Sequence, residues 1–297
     1  MNQNQKQKIF FCGLTLILIL FLTSFHRTGD LSILTITPTA KAETRQLIFD
    51  FFDVGQGDSE LIRLPGGENI LVDGGPDNKV LEKLGEHLPF YNKNIDLLIL
   101  THPHSDHLKG LVEVLNRYEV KKIMMTGVLY SSAVYSEFLK EIKNKNIPVE
   151  IIDHWQEIKI DDSVLLSILW PEKSLDGQSM ENINNSSIVF KIIYGSTTAL
   201  FMGDDESEEK LLFVTSTMKS DILKVGHYGS VNANDKNFLS AVSPAYAIIP
   251  VGKNNTYKLP GYRTLFNLRQ LNAKIFRTDE NGDVELFSDG KKIYVNN

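Results

Sequence analysis

The chain has 297 residues, 42% of them apolar and 23% charged, which excludes a disordered polypeptide and leaves room for one large domain or two small ones. Its 31 basic and 37 acidic residues give a net charge of −6, which argues against a protein that holds polyanions by general attraction. The one cysteine, Cys12, falls within the first 42 residues, so the remainder has neither a disulfide nor a cysteine nucleophile.

Residues 1–42 read as a targeting segment. Lys6 and Lys8 form a positive start, positions 9–22 are mostly apolar, and Ala40-Lys41-Ala42 offers an A-x-A cleavage site before Glu43. The expectation is a bacterial signal peptide that directs export, secreted or kept at the cell envelope. An uncleaved membrane anchor is the alternative, although the run is short for a span. Removing Lys6, Lys8, Arg27 and Lys41 against Asp30 leaves 27 basic and 36 acidic residues, a net charge of −9 on residues 43–297.

Residues 46–54 alternate as a strand that ends in Asp53-Val-Gly-Gln-Gly-Asp58, where two glycines mark a tight turn. Segments 59–64 and 69–72 pair as a hairpin across Pro65-Gly66-Gly67-Glu68. Asp73-Gly74-Gly75 follows, then a helix over 80–88. Positions 95–100 form an apolar run that reads as a buried strand, and 106–118 carry Leu108, Leu111, Val112 and Leu115 at helical spacing. Next come a strand at 122–126, a helix at 132–144, a strand at 149–152, and a hairpin of 158–160 with 164–169. His154 reads as an exposed or structural residue. The polar stretch 172–185 reads as a surface loop.

The second half repeats the plan. Strands are expected at 187–194 and 198–202, a helix with an acidic first turn at 206–215, and a strand at 222–225. Then follow a helix at 233–242, a strand at 246–250, a helix at 262–271, a strand at 274–278 and a final hairpin around Asp289-Gly290. No interdomain linker interrupts residues 43–297, which read as one domain.

The chemistry concentrates between the strand at 95–100 and the helix that follows. His102-Pro-His104-Ser-Asp106-His107 puts three of the seven histidines within six residues, with a carboxylate among them. A lone histidine in a turn is ordinarily solvated surface. This spacing at the C-terminal end of a strand, where open α/β sheets place their ligands, points to a divalent metal such as zinc. Asp204 and His227 also end apolar strands beside glycines and join the candidate set. Asp58 and Asp73 are turn residues expected close to the histidines, in supporting roles.

His102-x-His104-x-Asp106-His107, Gly203-Asp204 and His227 resemble the metal ligands of the metallo-β-lactamase superfamily. Phe52-Asp-Val-Gly-Gln-Gly-Asp58, Asn184-Asn-Ser-Ser187, Lys224-Val-Gly-His-Tyr-Gly-Ser230 and Thr278-Asp-Glu-Asn-Gly282 are similar to the metallo-β-lactamase-like domain of ComEC-type competence proteins. The resemblance covers residues 46–290 and implies an αββα sandwich of two half-related units, here as a free-standing exported domain. It implies that His102 and His104 hold one metal, that Asp106, His107 and His227 hold a second, and that Asp204 bridges. Where the superfamily has a further histidine, this chain has Asn184-Asn185, whose oxygen is a weaker zinc ligand and brings manganese into consideration beside one or two Zn2+ ions. Leu259 and Tyr228 also stand where the branch commonly has histidines.

The expected function is a metal-dependent hydrolase, foremost a phosphodiesterase or nuclease acting on DNA or RNA. Bound metal brings the pKa of water toward ~7. Asp106 and His227 are the catalytic candidates beside the metal, and Lys224, Ser230 or Tyr228 would contact a phosphate or oxyanion unless they are packing residues. The alternatives are hydrolysis of an ester, lactone or lactam, or a non-catalytic DNA-binding competence module. Contact with a membrane is expected only through the N-terminal segment, and no feature calls for an obligate protein partner.

Overall fold

The computed structural model describes residues 46–207 and 218–296. The chain divides into two units, 1–43 and 44–297, and every described residue belongs to the second. The targeting segment and most of the helix expected at 206–215 lie outside the described residues. No described helix is long and apolar enough to cross a membrane.

The elements run β1 (Leu47–Phe51), β2 (Glu60–Arg63), β3 (Asn69–Val72), α1 (Lys79–His87), β4 (Asn94–Ile95), β5 (Leu97–Ile99), α2 (Ser105–Arg117), β6 (Glu119–Val120), β7 (Ile123–Met125), α3 (Ala133–Lys145) and β8 (Val149–Ile151). They continue with β9 (Gln156–Lys159), β10 (Val164–Trp170), β11 (Val189–Tyr194), β12 (Thr197–Phe201), β13 (Ile222–Lys224), α4 (Lys236–Val242), β14 (Tyr246–Ile249), α5 (Tyr262–Gln270), β15 (Lys274–Arg277), α6 (Thr278–Asn281), β16 (Val284–Ser288) and β17 (Ile293–Asn296).

Two sheets result, ordered β17-β16-β1-β2-β3-β5-β7-β8 and β15-β14-β13-β12-β11-β10-β9. Their inner faces pack on each other through Phe49, Phe51, Phe190 and Phe201, with Phe201 stacked 4.8 Å from Phe190 and 5.9 Å from Phe51. The outer face of the first sheet is covered by α1, α2 and α3 through Leu84, Leu111, Leu115 and Phe138. The outer face of the second is covered by α4 and α5 through Phe238, Leu239 and Leu268. Four layers, αββα, bury one apolar stripe of each helix and both inner sheet faces.

Each sheet has a parallel block, β3-β5-β7-β8 and β12-β13-β14-β15. The loops after β3, β5, β12 and β13 carry the polar residues taken up below.

Two features differ from the sequence reading. The apolar run at 95–100 is split at Asp96, whose carboxylate accepts the Asn69 amide at 2.8 Å, and β4 pairs with β6 as a separate ribbon. The C-terminal hairpin joins the first half's sheet, with β16 antiparallel to β1 in the register Phe49↔Leu286, so the last strands of the chain close the first sheet.

Candidate metal centre

Three loops converge at the strand ends: 100–107 after β5, 202–206 after β12 and 225–230 after β13. The first is seated by a close approach of backbone. Gly110 on α2 lies against the 73–75 turn so tightly that a Cβ there would stand 1.9 Å from the Gly74 carbonyl oxygen, and its amide donates to Gly75 at 3.1 Å. The second needs a left-handed residue, supplied by Gly203 at φ +53°, where a Cβ would press Ser187.

His102, His107 and Asp204 are buried, and each contributes an atom to a cluster within 4.8 Å. His102 Nε2 lies 3.1 Å from His104 Nδ1, His107 Nε2 lies 3.2 Å from Asp204 Oδ2, and His227 Nε2 lies 3.8 Å from that same oxygen. Asp106 reaches the cluster through the Tyr228 hydroxyl, which donates to its Oδ2 at 2.7 Å and stands 2.7 Å from His107 Nε2.

Three of these imidazoles have their remote nitrogen engaged. His107 Nδ1 is 2.7 Å from Asp73 Oδ2, and Asp73 also accepts the Thr101 amide at 2.8 Å and the Thr101 hydroxyl at 2.6 Å. His102 Nδ1 lies 3.2 Å from the Thr101 hydroxyl and 3.3 Å from that of Ser187. His227 Nδ1 is 2.7 Å from Glu206 Oε1. Such partners orient a ring and leave Nε2 for the centre.

Burial, followed by the charge on His107, holds His102 well below the usual histidine range, so its nitrogen carries a free lone pair. Burial opposes a charge on His107, yet the carboxylates of Asp204 and Asp73 outweigh it and raise that histidine well above its ordinary value. Burial also opposes ionisation of Asp204, and the neighbouring His107 overcomes it to hold the acid below the carboxylate range. Burial, then Asp204, pushes the Tyr228 phenol well up, so it remains a proton donor. The centre thus favours a positive charge among carboxylates.

The donor set fits a divalent metal. Buried imidazole and carboxylate groups converge on a small volume, and two buried oxygens beside it, Asp204 Oδ1 and Asn184 Oδ1, have no hydrogen-bond partner. Both residues line a cleft of about 300 Å3 together with His104, Asp106, His227 and Tyr228.

The loop read over 172–185 ends at the cleft, where Asn184 takes the place expected of it from the resemblance. Residues 183–186 form a short 3-10 turn with Ile183, Asn184 and Ser186 buried, and Asn184 lines the cleft with its amide oxygen buried and unpartnered. Asn185 instead accepts the Glu206 amide at 3.0 Å.

Lys224 and Ser230 are also corrected. Lys224 is 2% exposed and points beneath the cleft, where its ammonium pairs with Asp58 and donates to the Gly203 carbonyl at 3.1 Å. Ser230 does not line the cleft, and its hydroxyl accepts the Asn232 amide at 3.2 Å. A lysine ending a strand faces the sheet interior or the site according to its side of the pleat, and here it faces inward. His154 is exposed beside Asp153. Glu206 was not anticipated; its only signal was a carboxylate two residues beyond Asp204.

Residues 52–253 match the family model described as Metallo-beta-lactamase superfamily. The chain is similar to ComE operon protein 3 of Bacillus subtilis, 30% identical over an alignment of 255 residues, with 80% of this chain and 32% of that protein covered. It is similar to Recombination protein 2 of Haemophilus influenzae, 28% identical over 242 residues, 80% of this chain and 28% of that protein. The match to Competence protein ComA of Neisseria gonorrhoeae is 28% over 243 residues, 79% of this chain and 31% of that protein. The chain therefore spans about a third of the length of these relatives. Its fold is similar to Igni18, a metallo hydrolase from Ignicoccus hospitalis, at TM-score 0.52 and 15% identity over 81% of this chain and 98% of that one. It is also similar to CmlA, a diiron beta-hydroxylase from Streptomyces venezuelae, at TM-score 0.50 and 15% identity over 78% and 52%. The two are named for different reactions, so the residues of the cleft must identify the chemistry.

Proposed function

The chain belongs to the metallo-β-lactamase superfamily and is a metal-dependent hydrolase; from that premise we propose an exported phosphodiesterase that cleaves nucleic acid. The observation that carries the reading is the convergence of His102, His107 and Asp204 beside the unpartnered oxygens of Asp204 and Asn184. His102, His104 and Asn184 would hold one ion, and Asp106, His107 and His227 a second, with Asp204 between them. Imidazole donors suit Zn2+, and the oxygen donors on the Asn184 side suit Mn2+. When bound, a divalent metal supplies Lewis acidity and acidifies water.

The chain's own groups supply the rest. Asp106 lines the cleft, its Oδ2 held by the Tyr228 hydroxyl, and its carboxylate would orient the attacking water and accept its proton. Tyr228 retains its proton and donates it to the oxygen that leaves phosphorus. The buried ring of His102 and the carboxylates around His107 keep the donors fixed before substrate arrives. Among the described residues no lysine or arginine lines the cleft, so a bound divalent metal would be the cation facing the scissile phosphate.

Competence and recombination, named in the relatives, are DNA processes, which supports a nucleic-acid substrate for this chain. The N-terminal pattern supports export. The test is hydrolysis of bis-p-nitrophenyl phosphate and of labelled DNA and RNA, measured with metal analysis before and after chelation. Cleavage that disappears on chelation and returns with Zn2+ or Mn2+ is expected. Turnover of esters or lactams with no cleavage of any phosphodiester would overturn the reading.

A further inference from the structure

The domain's net charge of −9 hides a local reversal. Between Asp235 and Asp279 the chain carries seven lysines and arginines and no acidic residue. Six of the seven, all but Arg277, are exposed, and no described carboxylate forms an ion pair with Lys253, Lys258, Arg263 or Arg269. These four lie on the loop that supplies Tyr257 and Leu259 to the cleft and on α5 directly after it.

This stretch is also where the surface is aromatic. Tyr262 is 78% and Phe266 47% exposed, and the two rings stack with centroids 6.3 Å apart along one face of α5. Helical spacing puts Arg263 and Arg269 on that exposed arc, while Thr264, Asn267 and Leu268 face the core. Tyr257, 71% exposed, continues the aromatic line to the cleft. A large exposed aromatic pair on a soluble domain marks a binding surface more often than it marks chance.

The stretch is held firmly against the candidate centre. The Gly261 amide donates to the Gly229 carbonyl at 3.0 Å, and the Thr264 hydroxyl donates to the Ser230 carbonyl at 3.4 Å. The start of α5 is thereby fixed to the turn that carries His227 and Tyr228. The loop before α5 supplies Tyr257 and Leu259 to the cleft, so the α5 face adjoins the cleft's lining.

We propose that the exposed face of α5 and the loop before it form a track for an unpaired nucleic-acid strand, with bases stacking on Tyr262 and Phe266 and phosphates meeting Lys258, Arg263 and Arg269. Interleaved aromatic and basic side chains are the chemistry of single-strand binding, because stacking needs bases that are not paired and the cations follow the backbone. A duplex keeps its base faces buried and would engage only the charges. The track rests on the phosphodiesterase reading for what it delivers, and its binding is separable from cleavage.

The test uses the full chain and a fluorescent oligodeoxythymidine of about 20 nucleotides. Tyr262→Ala with Phe266→Ala is expected to weaken its binding by about tenfold or more. Arg263→Glu with Arg269→Glu is expected to flatten the plot of log affinity against log salt by about 1.4, the contribution of two strand phosphates. In both variants, cleavage of the oligonucleotide falls relative to that of bis-p-nitrophenyl phosphate. Circular dichroism identical to the parent's excludes misfolding, since all four side chains are exposed. Undiminished binding in both variants, or tighter binding of a duplex than of the single strand, overturns the proposal. If the variants lose binding while the parent cleaves no phosphodiester, the track stands and the catalytic reading fails.

Discussion

Asp73 and His107, 34 positions apart, are joined carboxylate to imidazole at 2.7 Å, and this contact decides which nitrogen of His107 faces Asp204. Asp73→Asn keeps the size of the side chain and removes the anion. Metal affinity is expected to fall about 10–100-fold, read by competition with a chromophoric chelator. Thr101→Val, which removes one hydroxyl shared by Asp73 and His102, should cost less.

Tyr228 makes the next prediction. Its backbone is left-handed at φ 53°, directly after His227 at φ 45°, a cost accepted where the turn must aim both side chains into the cleft. Tyr228→Phe should lower kcat about 100-fold with metal content and KM near those of the parent, as loss of a proton donor does. A parallel loss of metal would show that the phenol only supports the ligands.

His87 gives a pH dependence remote from the cleft. Hydrogen bonds to Asp283 and then Asp50 raise it to about 9. Arg63 binds Asp50 at 2.8 Å and Glu285 at 2.6 Å, and Lys83 binds Asp283 at 3.0 Å, so β1, β2, α1 and β16 meet in one charged network. A folded-state value above the unfolded 6.5 stabilises fully below pH 6.5 and is lost as pH rises through about 9. The parent's Tm should therefore decline across that window, and His87→Gln should flatten the decline.

Lys224 predicts a stability effect in place of the phosphate contact read from sequence. Burial would depress its ammonium, but Asp58 and Glu60 overcome that and raise it. Lys224→Met leaves Asp58 buried without a cation and should cost about 3–5 kcal/mol in urea unfolding. Lys224→Met with Asp58→Leu should recover much of that loss.

Much of this was legible because the signals were local. The His102–His107 spacing, the hairpin of β2 and β3, and the stripe of Leu108, Leu111 and Leu115 each declare themselves within a few residues. What stayed hidden depends on partners distant in sequence. Nothing near Val284 announces that β16 pairs with β1 across more than two hundred residues. Which way Lys224 points shows only once Asp58 lies beside it, and Asp96 breaks an apolar run because of Asn69, on another strand. Composition misled in one further respect: a whole-domain charge of −9 conceals the basic stretch around α5.

The donors at the strand ends come from both sheets, with His102 in one half of the chain and Asp204 and His227 in the other. A fragment that stops at β10, or a chain clipped between the halves and parted, keeps only an incomplete set. The capacity to assemble a complete donor set is thus tied to the integrity of both halves, so an unfinished or severed copy has no whole centre.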